Sequence, residues 1–537
     1  MQYLLLAMTP RYITLALAAL ATAVFLVLSL GHAVYLPFFA LAGALTALGV
    51  HDLRQTRHSI LRNYPISAHL RFLLENVRAE IRQYFVESDI EGTPFSRDKR
   101  SVVYQRSKGQ LDKRPFGTQL DVYANAFEWL NHSMAPKPKA AIPFRITIGG
   151  PDCQQPYDCS VFNISAMSFG ALSANAIRAL NKGAALGGFA HDTGEGGISP
   201  YHTEHGGDII WEIGSGYFGC RDQDGRFSPQ RFAERAAHPQ IKMIEIKLSQ
   251  GAKPGHGGVL PASKVTAEIA LTRDVREGQD CISPSSHSAF STPLELVAFI
   301  AELRRLSGGK PVGFKLCIGH HWEFLAVCKA MLASNVTPDF IVVDGAEGGT
   351  GAAPLEFADH VGMPLRDGLM FVHNALVGLN LRDKIKLGAS GKIASAFDMV
   401  RIMALGADWC NSARGFMFAI GCIQSRSCHT DRCPTGVATQ DPLRQRALVV
   451  PDKAERVSHF HGSTLEALAE VVAAAGLDHP RELRPHHLSK RVAPNQVETY
   501  DHLYRFLTPG ELLRGTDDPR FRTAWQQAQA ESFTPAG

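Results

Sequence analysis

Between residues 161 and 412 one short pattern recurs eight times: an apolar run that ends in glycine or polar side chains. The runs fall at 161–166, 189–192, 243–247, 281–283, 312–316, 340–344, 385–388 and 409–412. Stretches with helical periodicity lie between many of them, at 174–186, 293–306, 322–333 and 393–405. Apolar strands alternating with helices imply a parallel sheet. Eight such units imply closure into an α/β fold, a (β/α)8 TIM barrel. Active sites of such barrels sit at the carboxyl ends of the strands. Here those ends carry Ser165-Ala166-Met167-Ser168, Thr193-Gly194-Glu195-Gly196-Gly197, Lys247, Lys315, Asp344 and Gly388-Ala389-Ser390-Gly391. Polar and glycine residues thus gather where a ligand of an enzyme would lie.

The N-terminus differs in kind. No charged residue occurs in 13–30 or in 31–50. Each run is long enough to cross a hydrocarbon core of roughly 30 Å. The expectation is a membrane hairpin of two helices, about 13–30 and 33–50, turning at Gly31-His32. A cleaved signal peptide would account for one run and not two. Arg11 precedes the pair, and Arg54, Arg57 and Arg62 follow it. The positive-inside rule then places both ends, and the barrel, on the cytoplasmic side of the cell inner membrane. The domain reading is a hairpin over 1–55, a helix (66–88) and wrapping segment over 56–144, the barrel with a cysteine loop over 145–445, and a helical extension over 446–537. A net charge of +4 without a basic stripe speaks against a nucleic-acid partner. Ten scattered cysteines in a cytoplasmic chain are expected to be reduced.

The cysteines are dense in one place, Cys422-Ile423-Gln424-Ser425-Arg426-Ser427-Cys428-His429-Thr430-Asp431-Arg432-Cys433-Pro434. Thiolates are soft ligands that suit iron–sulfur clusters and zinc. Proline after the last cysteine recurs in ferredoxin-type cluster loops. Zinc wants a fourth ligand, and the one nearby candidate, His429, adjoins Cys428 too closely to chelate the same ion well. Three thiolates without a fourth fit a three-iron cluster at Cys422, Cys428 and Cys433 better; zinc and unligated thiols are the alternatives.

Two loops late in the barrel read as a phosphate site. Gly388-Ala389-Ser390-Gly391-Lys392 follows the seventh run and leads into a helix, and Asn411-Ser412-Ala413-Arg414-Gly415 follows the eighth. Backbone N–H groups at helix starts bind anions, and barrels commonly hold a phosphate between these loops. Gly388, Ser390, Gly391, Ser412, Ala413 and Arg414 are therefore candidates to hold a phosphorylated cofactor such as FMN. Lys247 and Lys315 end strands and would be costly in a barrel mouth unless they meet an anion, either a reduced flavin or a substrate carboxylate. The structural alternative is an ion pair with Glu245 or Asp344.

Several of these segments together resemble the FMN-binding synthase domain of glutamate synthases. They are Ser165 to Ser173, Thr193 to Gly197, Glu245-Ile246-Lys247-Leu248-Ser249-Gln250-Gly251-Ala252-Lys253-Pro254-Gly255, Gly348-Gly349-Thr350-Gly351-Ala352 and Cys433 to Pro442. The resemblance covers about 145–445 and agrees in cysteine spacing, which implies a 3Fe–4S cluster. It implies FMN held by Ser165, Ala166, Met167, Ser168, Lys247, Lys315, Gly349 and Thr350 together with the two late loops. It also implies that Lys253 and Arg273 grip the oxo-acid. In the implied mechanism electrons enter through the cluster, and reduced FMN gives a hydride to the 2-imino acid formed from 2-oxoglutarate and ammonia. The product is L-glutamate.

The chain departs from the family at Ile198, His256 and Val259, where glutamate, glutamate and glutamine stand. Ile198 and Val259 fall at positions that touch the oxo-acid in the family, and neither can supply a polar contact; loss of such a partner alters specificity strongly. A glutaminase domain and a glycine-repeat β-helix are not expected here, so ammonia is expected to be free or supplied by a partner. No Gly-x-Gly-x-x-Gly follows a strand, which points to a separate donor such as a ferredoxin or a membrane carrier rather than NAD(P)H. The alternatives are an oxidoreductase for a different amino or 2-oxo acid, and an electron-transfer subunit.

Overall fold

The computed structural model describes residues 10–537, which form two compact units that part between Thr93 and Pro94. The first nine residues of the expected membrane segment lie outside the described residues.

The first unit opens with two helices, α1 (Ile13–Gly31) and α2 (Leu36–Arg54), joined by a short turn. Each has 19 residues, so each spans about 28 Å at 1.5 Å per residue. No side chain of α1 is buried, and Leu17, Leu20, Val27 and Leu30 lie open. The helices meet through small side chains: the Thr22 and Thr46 hydroxyls are 2.9 Å apart and Gly43 faces Thr22. This is how helices pack where apolar burial against water gives no drive. Asp52 at the foot of α2 is buried, accepts the Ile66 N–H at 2.9 Å and lies 2.9 Å from the His69 ring. In place of one helix over 66–88 there are Ala68–Asn76, Arg78–Ile81 and a wider π turn, Arg82–Val86.

The second unit is built on a closed parallel barrel of eight strands. They are β1 (Phe162–Ile164), β2 (His191–Asp192), β3 (Ile209–Ile213), β4 (Ile241–Lys247), β5 (Val312–Leu316), β6 (Phe340–Asp344), β7 (Lys386–Ser390) and β8 (Trp409–Ser412). Each pairs with the next, and β8 closes on β1 through Cys410 opposite Phe162. Helices follow most strands and start on strong caps: Ser173, Thr292 and Ser395 each accept an N–H of the first turn.

Eight strands were expected and eight are present, but two identities differ. β3 was not expected. The run at 281–283 is no barrel strand: Cys281–Ile282 pairs antiparallel with Val259–Leu260 in a small ribbon. The C-terminal extension is not all helix either. A long helix, Val450–Ala474, packs on Ala174–Gly187, where Gly183 lets Val457 approach closely. Beyond it Leu488–Ala493 and Gln496–Thr499 form a hairpin that takes Glu128–Leu130 as a third strand.

Glu128 ties this sheet to the barrel. Its carboxylate meets Arg366 and, at 3.0 Å, Arg401. Burial alone would raise its pKa, but the bonds to Arg366 and then Arg401 outweigh it and hold the group at about 2. A depressed carboxyl contributes stability that is present above the ordinary value and lost as pH falls through the folded one. Glu128→Gln is therefore expected to lose about 2 kcal/mol at neutral pH. In urea unfolding the gap from wild type should close as pH falls from about 4 towards 2.

Candidate active site at the mouth of the barrel

Strand register sets the interior of the barrel. Glu212 stands opposite Glu245, which stands opposite Gly313, and one level nearer the mouth Lys247 stands opposite Lys315. The two lysines part ways from there. The Lys315 ammonium turns inward, in close contact with Glu212 Oε2 and 3.1 Å from Glu245 Oε1. Asp192, from β2, completes a set of three carboxylates around it. Lys315 is fully enclosed, and although burial opposes its charge, Glu212 and Glu245 raise its pKa well above the usual lysine value. The expected flavin neighbour is thus placed in an internal ion cluster below the mouth, close to the structural alternative.

Lys247 instead turns outward and lies 3.0 Å from Glu195 Oε2. Burial pushes the Glu195 carboxyl up, but Lys247, Arg273 and Lys253 together bring it below its ordinary value. Ser283 adds a contact at 3.4 Å. Gly258 leaves room for this carboxylate, because a Cβ there would fall on Glu195 Oε1. His287 fixes the base of this pair: one ring nitrogen is 2.8 Å from the Lys247 carbonyl and the other 3.0 Å from the Tyr217 hydroxyl. Burial lowers the His287 pKa to about 4, so the ring is neutral.

Lys253 and Arg273 come to the same place from different segments. Lys253 is 2% exposed, and burial lowers its pKa against the pull of Glu195. Arg273 ends the helix Ala267–Arg273, donates to Ser168 Oγ at 3.2 Å and to the Phe169 carbonyl at 2.9 Å, and lies over the Phe218 ring. Glu195, Lys247, Lys253 and Arg273 therefore form one buried, mostly cationic group. A narrow cleft lined by Glu195, Lys247, Ser249 and His256 reaches it. A larger open groove lined by Arg178, Tyr201, Glu268 and Arg446 holds none of the expected site residues.

The late loops adjoin. Ser390 Oγ lies 3.3 Å from Ser165 Oγ, the Ser165 N–H donates to the Ser412 carbonyl at 3.1 Å, and Ser412 Oγ donates to the Ile393 carbonyl. Among the described residues the backbone N–H groups of Gly391 and Lys392 meet no acceptor, so two donors remain for a ligand at this rim. Gly388 does not reach the loop: it lies inside β7, where a Cβ would strike the Trp409 indole. Arg414 donates to the Thr350 carbonyl at 3.1 Å and lies beside Gly349. Ala166 and Met167 continue β1 into the mouth, Met167 buried and Ala166 partly so. Ala413 precedes the short helix Arg414–Ala419.

The cysteine loop lies against the same rim, since a Cβ on Gly351 would touch that of Cys428 at 3.8 Å. Cys422 and Cys433 are buried and Cys428 is half-buried. Burial pushes the Cys422 thiol up to about 11. Burial also opposes ionisation of Cys433, but the Thr435 hydroxyl and the N–H groups of Ala438, Thr435 and Val437 outweigh it and lower its pKa.

Glu195, Asp192, Glu212 and Glu245 were not singled out in the sequence as site residues. The available signal was a carboxylate at the end or in the middle of an apolar run, as in Ile209-Ile210-Trp211-Glu212-Ile213, which is tolerated only against a partner charge.

A closed parallel barrel whose strand ends gather buried lysines, an arginine and anion-binding loops defines a TIM-barrel enzyme. The conserved region of glutamate synthase matches residues 153–478, and the chain belongs to the glutamate synthase family as an oxidoreductase. It is 38% identical over 494 residues to the glutamate synthase large subunit-like protein YerD of Bacillus subtilis, covering 84% of this chain and 94% of that protein. It is 36% identical over 322 residues to the archaeal glutamate synthase [NADPH] of Methanocaldococcus jannaschii, covering 60% of each. Among solved structures, a flavocytochrome b2 mutant with pyruvate bound aligns over 87% of this chain and 96% of that one, at 11% identity and a TM-score of 0.42, too loosely to bear on function.

Proposed function

We propose that the protein is a membrane-tethered synthase that binds FMN at the barrel mouth and a 3Fe–4S cluster at Cys422, Cys428 and Cys433. Its reaction is the reductive amination of 2-oxoglutarate to L-glutamate. The observation that carries this reading is the junction of Arg414, Thr350 and Cys428, which sets the thiol loop against the anion-binding rim. Gly391, Lys392, Ser390, Ser165, Ser412 and Arg414 would hold the phosphate end of the flavin, and Ser168, Gly349, Thr350 and Lys247 its neighbourhood. When bound, the cluster passes electrons singly and FMN delivers them as a hydride. Lys253 and Arg273 bind and orient the oxo-acid carboxylates. Glu195 fixes the Lys247 ammonium in place beside the reacting centre. Buried walls exclude water and strengthen each of these contacts. The charge-free runs 13–30 and 31–50 of α1 and α2, Arg54, Arg57 and Arg62 after them, and exposed Leu70, Leu73 and Phe85 support attachment to the cell inner membrane with the barrel in the cytoplasm. The donor is a separate protein of ferredoxin type.

A second substrate is favoured by one observation. Ile198 packs against the apolar core, and its carbonyl is held by Arg235 at 3.2 Å, so no polar side chain stands at that point of the wall. This fits an amino or 2-oxo acid other than glutamate. Purified full-length protein should contain FMN and iron and form glutamate from 2-oxoglutarate, ammonium and reduced ferredoxin. Turnover of another 2-oxo acid in its place selects the second substrate, and intact cofactors with no turnover select an electron-transfer subunit. Gly258→Ala should displace the Glu195 carboxylate from Lys247. The expected fall in kcat/KM is at least about tenfold, or about 1.4 kcal/mol, with little change in Tm.

A further inference from the structure

The four side chains at the centre of the barrel carry more acid than base. Asp192, Glu212 and Glu245 each place an oxygen within 4.8 Å of the others, and all three are essentially closed to water. The single cation among them is the Lys315 ammonium, which sits where a metal ion would otherwise go. Asp344 of β6 faces the same ammonium, and its Oδ2 accepts the Gly251 N–H at 2.8 Å. Lys247 of β4 is committed to Glu195. β1 and β8 bring no charged side chain, and Lys386 lies at the opposite end of β7.

The carboxyls are not equivalent. Glu212 takes the close contact with the ammonium. Asp192 accepts the Gly194 N–H at 3.0 Å. Glu245 is 1% exposed, and neither of its oxygens has a hydrogen bond of good geometry among the described residues. Gly313 stands opposite it in register, so no side chain covers it from β5 at that level. Two carboxylates cannot both stay ionised at this separation in a dry interior with one ammonium already engaged. Burial pushes both Asp192 and Glu245 up, and a neighbouring carboxylate adds to it in each case, Glu245 beside Asp192 and Glu212 beside Glu245.

We propose that Asp192 and Glu245 share one proton in the resting barrel and take up a second when negative charge arrives at the mouth. The pair is then a charge-balancing device beneath the reacting centre, with Asp192 and Glu245 as positioning residues. The source of that charge rests on the proposed flavin. Two electrons and one proton convert the flavin to its anionic reduced form, which adds one negative charge. The second proton comes from solvent and neutralises the remaining carboxylate of the pair. The overall change is two electrons and two protons.

Infrared spectroscopy of the full-length protein in detergent tests this directly. At neutral pH the resting protein should show the C=O stretch of a buried carboxylic acid, shifted in D2O. Asp192→Asn and Glu245→Gln should each remove it, whereas Glu245→Asp should shift it. Dithionite should enlarge the band in wild type and produce none in the double variant Asp192→Asn/Glu245→Gln, which keeps neither acid of the pair. The slope of flavin potential against pH should then be that of two protons per electron pair in wild type and of one in the double variant. A wild-type spectrum without the resting band, a band equal in both amide variants, or no gain on reduction of bound flavin would overturn the proposal. A preparation without flavin counts against the proposed function alone, and the resting band still decides whether the proton is shared.

Discussion

Replacing Lys315 with methionine is expected to destabilise the second unit by about 3–5 kcal/mol, the usual loss when one partner of a buried ion pair is removed. The side chain reaches from the mouth level down to Glu212 and Glu245, and no other ammonium or guanidinium enters that space among the described residues. Without it three enclosed carboxyls face one another. The loss should depend on pH with a definite sign. Asp192 is raised well above its ordinary value and Glu245 to about 7. An acid whose folded pKa is raised contributes stability that is fully present below its unfolded value, about 4, and lost as pH rises through the folded one. The deficit of Lys315→Met should therefore be smallest near pH 4 and largest above about 7. Glu128→Gln should behave in the opposite sense, losing its effect in acid. Urea unfolding at several pH values separates the two, and a Lys315→Met deficit that does not depend on pH would argue against a cluster of raised carboxyls.

Cys433→Ser should abolish electron entry while leaving the barrel intact. A serine hydroxyl does not ionise as a thiol does and is a poor ligand for iron. At Cys433 the Thr435 hydroxyl and the local N–H groups favour the charged sulfur. Iron content should fall to background and ferredoxin-dependent turnover by roughly 100-fold or more, since even outer partners of metal ligands cost 10–100-fold. Direct reduction of the flavin by dithionite should persist. Cys159→Ser is the control: Cys159 is buried beside Asn163, 3.3 Å from its amide, and should leave iron unchanged.

The barrel was legible in the sequence because strands such as 340–344 are largely buried and read as apolar runs that end at the mouth in a polar residue. β3 was missed for the converse reason. Glu212 interrupts its run, and only the unseen Lys315 makes that residue an interior one. Cys281-Ile282 misled because two apolar residues in an excursion look like Phe189-Ala190, the apolar pair that leads into β2. The turn Pro494-Asn495 marks the C-terminal hairpin, yet its short strands lie within otherwise helical surroundings. At the site, the residue types at the strand ends were readable, but their pairings were not. Lys247 and Lys315 occupy neighbouring register positions and look alike in sequence; the direction each ammonium takes depends on Glu195 and Glu212, which lie on other strands or loops.

Anaerobic single-turnover spectroscopy follows the proposed transfer of reducing equivalents from the flavin to an acid at the barrel mouth. The flavin of the full-length protein is bleached with dithionite, excess reductant is removed, and 2-oxoglutarate with ammonium is added. The oxidised flavin spectrum should recover with one glutamate formed per flavin, and should not recover in Lys253→Met. A flavin that stays bleached with 2-oxoglutarate and with every other 2-oxo acid supplied with ammonium would overturn the proposed function.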